Sequence, residues 1–156
     1  MTLEKIYEIA LGTVSDIGDI VRFQVAMAME SEGTTLDIDR VTAGVTAAIN
    51  DPNRGFYIVA KLDGNTVGSL MVTKEWSDWN NQWYWWVQSV YVIPEHRKSG
   101  VFRALYESVK ERAAANCVSQ IRLYVDKSNS AAQSVYRSSG LEECHYLMYE
   151  EHIPKR

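Results

Sequence analysis

Residues 83–92 constrain the fold more than any other segment, because they predict a strand with bulky side chains on both faces. Successive side chains of a strand point to opposite faces, so the segment divides into two sets. These are Trp83, Trp85, Val87, Ser89 and Tyr91 on one face, and Tyr84, Trp86, Gln88, Val90 and Val92 on the other. Bulk on both faces indicates a central strand that other elements cover from both sides.

The remaining segments alternate between helical and strand periods. Strands are predicted at 5–11, 56–62, 67–73, 120–125 and 146–150, and helices at 17–30, 39–49, 100–115 and 130–138. Asp63, Gly64 and Asn65 accept positive φ, so the second and third strands are expected to form an antiparallel hairpin. The predicted order is βααβββαβαβ, an α/β (α+β) arrangement.

Length and composition favour one globular domain over residues 1–156. A chain of 156 residues, 46% of them hydrophobic, can bury a core without metal or disulfide staples. The formal net charge is −4 and the basic residues are dispersed, so the basic surface of a nucleic-acid-binding protein is not expected.

The sequence also indicates where in the cell the protein acts and in what state its two cysteines are. Glu4 and Lys5 come early, and no apolar run resembles a signal peptide or is long enough to cross a membrane. Cys117 and Cys144 show no CxxC spacing and no neighbouring histidine cluster. We therefore expect a cytoplasmic protein with free thiols, no bound metal and no membrane partner.

A short basic turn joins the central strand to the third predicted helix, with Arg97 and Lys98 in the turn and Arg103 in the helix. A helix N-terminus has unpaired N–H groups and a partial positive charge, and Gly100 lets a ligand approach the backbone. The turn is therefore a candidate diphosphate site. The GxxxxGK[ST] and GxGxxG loops of nucleotide-binding proteins do not occur in the sequence. Alone, such a turn is more often a solvated surface.

Two segments together resemble the GNAT acetyltransferase superfamily. Arg97-Lys98-Ser99-Gly100-Val101-Phe102 is similar to the family's acetyl-CoA loop, [RQ]xxGx[GA], which follows its fourth strand. Phe102 departs from the pattern, because the family usually has Gly or Ala there. Residues 129–141 are similar to the family's Nxx[AS]xxxYxxxGF segment, with Asn129 and Tyr136 at the matching positions. The predicted order of elements is also the family's, so the resemblance covers nearly the whole chain.

The resemblance implies direct transfer of an acetyl group from acetyl-CoA to an amine in a ternary complex. The Tyr136 hydroxyl would protonate the leaving sulfur, and a backbone N–H of the fourth strand would polarise the acetyl oxygen. The same strand would bind the pantetheine amides as an added strand does. The cofactor-binding residues implied are Val90, Tyr91, Val92, Arg97, Lys98, Ser99, Gly100, Val101, Phe102, Arg103, Asn129 and Tyr136.

The general base is the least defined part of the chemistry. Family members often have a glutamate on the fourth strand where this sequence has Gln88, and glutamine cannot accept a proton. Glu75 is our candidate catalytic base. The alternatives are Asp78, Glu30, Glu32 or a chain of water molecules.

All five tryptophans lie within residues 75–86, among acidic residues. Aromatic faces and a carboxylate can hold an ammonium group, so this segment is a candidate acceptor pocket. Packing beneath a hairpin explains the same tryptophans equally well. The predicted substrate-binding residues are Glu30, Trp76, Asp78, Trp79 and Gln88. The Glu-Trp-Ser-Asp-Trp segment resembles a subset of GNAT proteins.

Three functions are compatible with these patterns. The first is an acetyl-CoA-dependent N-acetyltransferase acting on a primary amine, and the second is a non-catalytic acyl-CoA-binding or sensing module. The third is a structural interaction domain that uses its tryptophan surface and binds no CoA. The sequence leaves open the acceptor, the acyl-chain preference, and whether the protein is a monomer or a homodimer.

Overall fold

The computed structural model describes residues 5–155, which form two compact units that divide after Tyr124. The first unit contains a sheet, three α-helices and two short 3-10 turns, at Val14–Asp16 and Pro94–His96. Its elements are β1 (Glu8–Leu11), α1 (Ile17–Glu32), α2 (Ile38–Asn50), β2 (Phe56–Leu62), β3 (Asn65–Ser77), β4 (Gln82–Val92), α3 (Val101–Ala115) and β5 (Val118–Arg122). The second unit contains α4 (Ser130–Ser138). The single-domain organisation stays a prediction.

The sheet has five strands in the order β1-β2-β3-β4-β5. Strands β1 to β4 pair antiparallel, as hairpin-connected strands do, and β5 pairs parallel to β4 after the crossover through α3. The predicted fold class, a mostly antiparallel sheet flanked by helices, is confirmed.

Helices cover both faces of this sheet, because consecutive residues of β2 and β3 are buried and successive side chains point to opposite faces. Tyr57 and Val59 of β2 pack against the buried side chains of α1 and α2. Gly68 of β3 points to the opposite face, where a side chain at this position would contact Val101 of α3. The helices therefore sandwich the centre of the sheet.

A β-bulge in β4 changes which side chains share a face. Met71 pairs with Gln88 and Ser69 pairs with Tyr91, so two residues of β4, Ser89 and Val90, oppose one residue of β3. The backbone of Ser89 adopts a positive φ of 54°. Because the extra residue inverts the alternation, Tyr91 lies on the face of Gln88. The continuous alternation predicted for residues 83–92 is therefore wrong beyond the bulge.

Several element boundaries also differ from the prediction. Strand β3 extends to Ser77, so Glu75 lies in a strand and not in a loop, because its pairing with β4 continues to the turn. Strand β5 begins at Val118, two residues before the predicted start, and ends at Arg122, where its pairing with Trp86 stops. None of the helices in the described range is long and apolar enough to cross a membrane.

The last predicted strand, 146–150, does not form. Residues 141–155 contain no strand in the part of the chain that the structure describes. The residue types of this segment favour a strand, but a strand also requires a neighbouring strand to bond its N–H and C=O groups, and one segment's sequence does not supply it. The observed order is βααβββαβα.

Candidate functional site

The outer edge of β4 is open after Trp86. β5 pairs with β4 only from Trp83 to Trp86, so no strand of the described residues pairs with this edge over residues 87–92. The Ile93 N–H donates to the Val67 carbonyl at 3.0 Å, which fixes the direction of the neighbouring peptides. Because backbone groups alternate along a strand, Val92 and Val90 direct their N–H groups to the open edge. Both N–H groups are available to an extended ligand.

The alternation also separates three residues predicted as one group. Tyr91 directs its N–H towards β3, since it lies between Val90 and Val92, and pairs with Ser69. Its backbone therefore cannot bond a ligand at the open edge. Val90 and Val92 remain the donors compatible with the predicted oxyanion and pantetheine contacts.

The turn after β4 ends at the N-terminus of α3. Lys98 and Gly100 both adopt positive φ, 59° and 84°, which turns the chain sharply into the helix. Gly100 is the N-cap, and a Cβ built there meets no atom within 4 Å. The first N–H groups of an α-helix have no partner within the helix, and those of α3 follow directly after Gly100. This is a cradle suited to an anion.

The basic side chains around this cradle differ in their contacts. Lys98 and Arg103 are exposed. Arg97 is bound to its own protein: its Nε donates to the Val92 carbonyl at 2.9 Å and its Nη2 to Glu30 Oε2 at 2.7 Å. The Phe102 ring, at the position where the motif departs from the family, stacks on Tyr106 with the planes 10° apart.

Glu30 lies in the last turn of α1 and joins this group. Its second oxygen, Oε1, accepts a hydrogen bond from the Tyr91 hydroxyl at 2.8 Å. The hydrogen bond from Arg97 lowers the pKa of Glu30. Burial and the hydrogen bond to Glu30 raise the pKa of Tyr91. The structure thus places Glu30, which was predicted to contact the acceptor, beside the C-terminal end of β4.

Glu75 is held by two partners. Its Oε1 accepts from the Trp86 indole N–H at 3.0 Å, and its Oε2 forms an ion pair with Arg122 Nη1 at 3.2 Å. The Arg122 guanidinium lies over the Tyr84 ring, 4.3 Å from its centroid. These residues form a cation-binding cluster of one carboxylate and two aromatic rings, and in this structure Arg122 is its cation. The role of Glu75 as a base stays a prediction.

Gln88 is on the same face as Glu75, nearer to α1 and α2. Its Oε1 accepts from the Thr73 hydroxyl at 3.3 Å, and its Nε2 donates to the Met71 sulfur at 3.5 Å. The side chain is partly buried and its amide can bond an acceptor but not deprotonate it.

The tryptophans are divided between the two faces of the hairpin. Trp76 and Trp83 form a cross-strand, edge-to-face pair with centroids 4.9 Å apart, on the face that carries buried Trp85. Trp86 lies on the other face, with Glu75 and Gln88. Trp79, in the turn beside Asp78, is 91% exposed. The predicted acceptor residues are therefore not brought into one cluster, and which of them contacts an acceptor stays a prediction.

Sequence reasoning missed the contributions of Tyr84 and Arg122 to the cluster around Glu75. Tyr84 shares a face with Trp86 by simple alternation, a signal that was available in the sequence. Arg122 could not be found that way, because its approach depends on the register between β4 and β5.

The second unit presents the other matched motif. Asn129 is the N-cap of α4, and its side chain accepts from the Ala132 N–H at 3.0 Å. Tyr136 is partly buried, and burial raises the pKa of its hydroxyl. Gly140, with φ 97°, follows the helix, and the Leu141 N–H donates to the Tyr136 carbonyl. The helix predicted at 130–138 is confirmed, while contact of Asn129 and Tyr136 with a cofactor stays a prediction.

Comparison with known proteins gives consistent results. The model of the family described as Acetyltransferase (GNAT) family matches residues 24–141. A solved structure, a "possible acetyltransferase" from Clostridium difficile 630, is 37% identical, with a TM-score of 0.89 over 97% of this chain and 100% of that chain. An integron cassette protein from the mobile metagenome of Cole Harbour Salt Marsh shares the fold at 19% identity, with a TM-score of 0.83 over 95% of this chain and 91% of that chain.

A curated relative matches a shorter region. A mycothiol acetyltransferase from Kocuria rhizophila is 41% identical over 64 residues, which are 40% of this chain and 21% of that protein. The match thus spans about a fifth of that relative's length.

Proposed function

We propose that this chain, which belongs to the acetyltransferase (GNAT) family, transfers an acetyl group from acetyl-CoA to a primary amine of a small molecule. One observation carries the proposal: the open strand edge of β4 leads directly to the N-terminus of α3. An elongated ligand with amides at one end and a diphosphate at the other fits this order of donors. Acetyl-CoA has that chemistry.

Backbone groups make most of the proposed contacts with acetyl-CoA, and side chains make fewer. The pantetheine amides would extend along Val90 and Val92 as an added strand. The diphosphate would accept from the first N–H groups of α3, with Lys98 and Arg103 adding positive charge. Asn129 is a further candidate contact, from the family motif.

The transfer step needs three protein groups: a donor that stabilises the oxyanion, an acid that protonates the sulfur, and a base that accepts the proton of the amine. A neutral amine attacks the thioester carbonyl, the Val90 or Val92 N–H stabilises the oxyanion, and the C–S bond breaks as the amide forms. We assign protonation of the departing sulfur to the Tyr136 hydroxyl, which is protonated at neutral pH as any tyrosine is, and whose pKa burial raises further. The proton lost by the amine passes to the base and then to solvent, and solvent returns a proton to the Tyr136 oxygen.

Glu75 is our candidate for that base and also for binding the acceptor's positive charge. Its carboxylate, with Tyr84 and Trp86, already binds a guanidinium in this structure. An ammonium group suits the same three partners. Arg122 and Trp86 each contact one carboxylate oxygen of Glu75, so an acceptor must share the carboxylate with these two partners.

Trp76, Asp78 and Trp79 are a second candidate surface for the acceptor, at the tip of the β3–β4 hairpin. We expect the protein to act in the cytoplasm, as a monomer or a homodimer.

A non-catalytic acyl-CoA-binding module is the second candidate. It is favoured by the pairing of Glu75 with Arg122 and by Gln88 in place of a carboxylate. Such a module would bind acetyl-CoA through the same strand edge and helix N-terminus without turning it over.

The deciding experiment incubates the protein with acetyl-CoA and a panel of amines and measures release of free thiol. The panel should include polyamines, amino acids, aminoglycosides and a peptide N-terminus. Amine-dependent thiol release is expected with at least one small amine, and reactions without amine correct for hydrolysis. Tight binding of acetyl-CoA without release for any amine would favour the binding module.

A further inference from the structure

Arg97 is directed back towards the strand that precedes it and not towards the cradle at α3. Its Nε–H bonds the Val92 carbonyl, its Nη2 bonds Glu30, and its guanidinium carbon lies 5.3 Å from the centroid of the Tyr91 ring. A guanidinium is planar with its donors in fixed directions, so these three contacts together define its position. Arg97 is thus anchored before any ligand binds.

Glu30 is the common partner of this arrangement. One oxygen accepts from Arg97 and the other from the Tyr91 hydroxyl, whose ring packs against Phe23 of α1. A carboxylate of α1 therefore connects two residues 61 and 67 positions away in the sequence. It links the end of α1 to the strand edge and to the first residue of the turn.

The turn itself needs such a support. It passes through Lys98 at φ 59°, a conformation that costs a non-glycine residue about 1 kcal/mol. Two local hydrogen bonds hold part of the turn. The Arg97 N–H donates to the Pro94 carbonyl, and the Ser99 hydroxyl donates to the His96 carbonyl. The Arg97 side chain adds the long-range restraint to β4 and α1.

We propose that Glu30, Arg97 and Tyr91 form a positioning network that sets the path of residues 97–100, and that Arg97 is not a ligand of the diphosphate. The inference rests on the proposed binding of acetyl-CoA at this turn. Glu30 and Arg97 act through the backbone they hold, so the phosphate contacts come from the N–H groups of α3, Lys98 and Arg103.

Glu30→Gln distinguishes a positioning role of Arg97 from a phosphate-binding role, because the two roles predict opposite changes in acetyl-CoA affinity. If Arg97 is a positioning residue, this change loosens the turn and weakens acetyl-CoA binding by roughly three- to tenfold, as for loss of a partly exposed charge-assisted contact. If Arg97 instead binds phosphate, removing a competing carboxylate frees its charge and strengthens binding. Tighter or unchanged binding in Glu30→Gln, measured by calorimetry, would overturn the proposal.

Three further variants test the same network. Arg97→Lys keeps the positive charge but loses the fork that bonds Val92 and Glu30 together, so we expect it to bind acetyl-CoA as weakly as Arg97→Gln. A phosphate-binding role would let lysine substitute. The Glu30→Gln/Arg97→Gln double variant keeps the net charge, and we expect it to be no weaker than either single variant, because both break one unit. Additive losses would overturn the proposal.

Asp19→Asn is the matched control, because Asp19 pairs with Arg22 at the other end of the same helix. Its affinity should equal that of the wild type. Tyr91→Phe removes one hydrogen bond to Glu30 while keeping the ring, and it tests the network if Glu30→Gln does not fold. If the wild type itself fails to bind acetyl-CoA, the proposed function falls together with this inference.

Discussion

Asp16 is a buried carboxylate at the start of α1, where it closes the 3-10 turn onto the sheet. It accepts from the Lys61 ammonium at 2.9 Å, from the Thr13 N–H at 2.8 Å and from the Thr13 hydroxyl at 3.2 Å. Burial opposes the charge of Asp16, but the bonds from Lys61 and Thr13 outweigh it and lower its pKa. The residue is therefore a structural anion and stabilises only while ionised.

We predict that Asp16→Asn lowers the free energy of unfolding at pH 7 by about 1–3 kcal/mol. The native pKa lies below the unfolded value of about 3.9, so the stabilisation is complete above that pH and is lost as pH falls through the native pKa. The variant should therefore lose less stability than the wild type between about pH 5 and pH 2. Urea titrations at several pH values measure this, and parallel losses in both proteins would contradict it.

The proposed role of Tyr136 as proton donor can be tested with one substitution. Tyr136→Phe removes the hydroxyl but keeps the ring. If the hydroxyl protonates the departing sulfur, kcat should fall by about 10²- to 10⁴-fold with nearly unchanged acetyl-CoA affinity. Steady-state kinetics with a responsive amine measure the change.

A tyrosine that only packs gives another pattern. Its loss would lower the melting temperature and leave the rate per folded molecule unchanged, so both must be recorded for Tyr136→Phe. A folded variant with full kcat would remove Tyr136 from the mechanism and leave water as the proton donor.

Among the elements, β4 combines a regular hairpin with an irregular edge. Its first half pairs on both sides, with β3 and β5, while its second half pairs with β3 alone. The bulge at Ser89 lies within the second half and sets which residues face the open edge. A bulge in this place re-aims the strand's donors.

The bulge requires a positive φ at position 89, and this can be tested. Glycine adopts that conformation without penalty, so Ser89→Gly should match or slightly exceed the wild type in stability and keep acetyl-CoA affinity. A β-branched side chain is strained there, and Ser89→Val should lose about 1–2 kcal/mol of unfolding free energy. Equal stability of the two variants would show that the positive φ is not required.

Across the whole molecule, the sequence predicted β2, α3 and α4 to within a residue, because turn residues or helix N-terminal signals mark their ends. The bulge was not predicted, since a serine at positive φ has no signature comparable to glycine. Contacts between distant segments were also beyond the sequence: Arg97 was expected to face phosphate, yet its partner Glu30 is 67 residues away. The site's backbone was thus easier to predict than the directions of its side chains.

Binding of acetyl-CoA is a prediction about the whole molecule, because two electrostatic effects of opposite sign compete. The chain carries a net charge of −4, which repels an anionic ligand at long range. Lys98, Arg103 and the positive end of α3 attract it at short range. At about 0.1 M salt the screening length is about 10 Å, so distant repulsion is largely removed while contacts in the cradle persist.

We therefore predict micromolar affinity for acetyl-CoA in calorimetry, weakening as salt rises further, since the remaining phosphate contacts are partly ionic. Ligand at about 100 times its Kd should add about 2.7 kcal/mol to the free energy of unfolding and raise the melting temperature. Gly100→Glu places an anion at the cradle and should abolish binding while the protein stays folded. Gly100→Ala, which carries the same backbone strain without the charge, is its matched control. Normal binding by a folded Gly100→Glu variant would show that the ligand lies elsewhere, and no binding by the wild type at millimolar ligand and low salt would remove the enzymatic hypothesis.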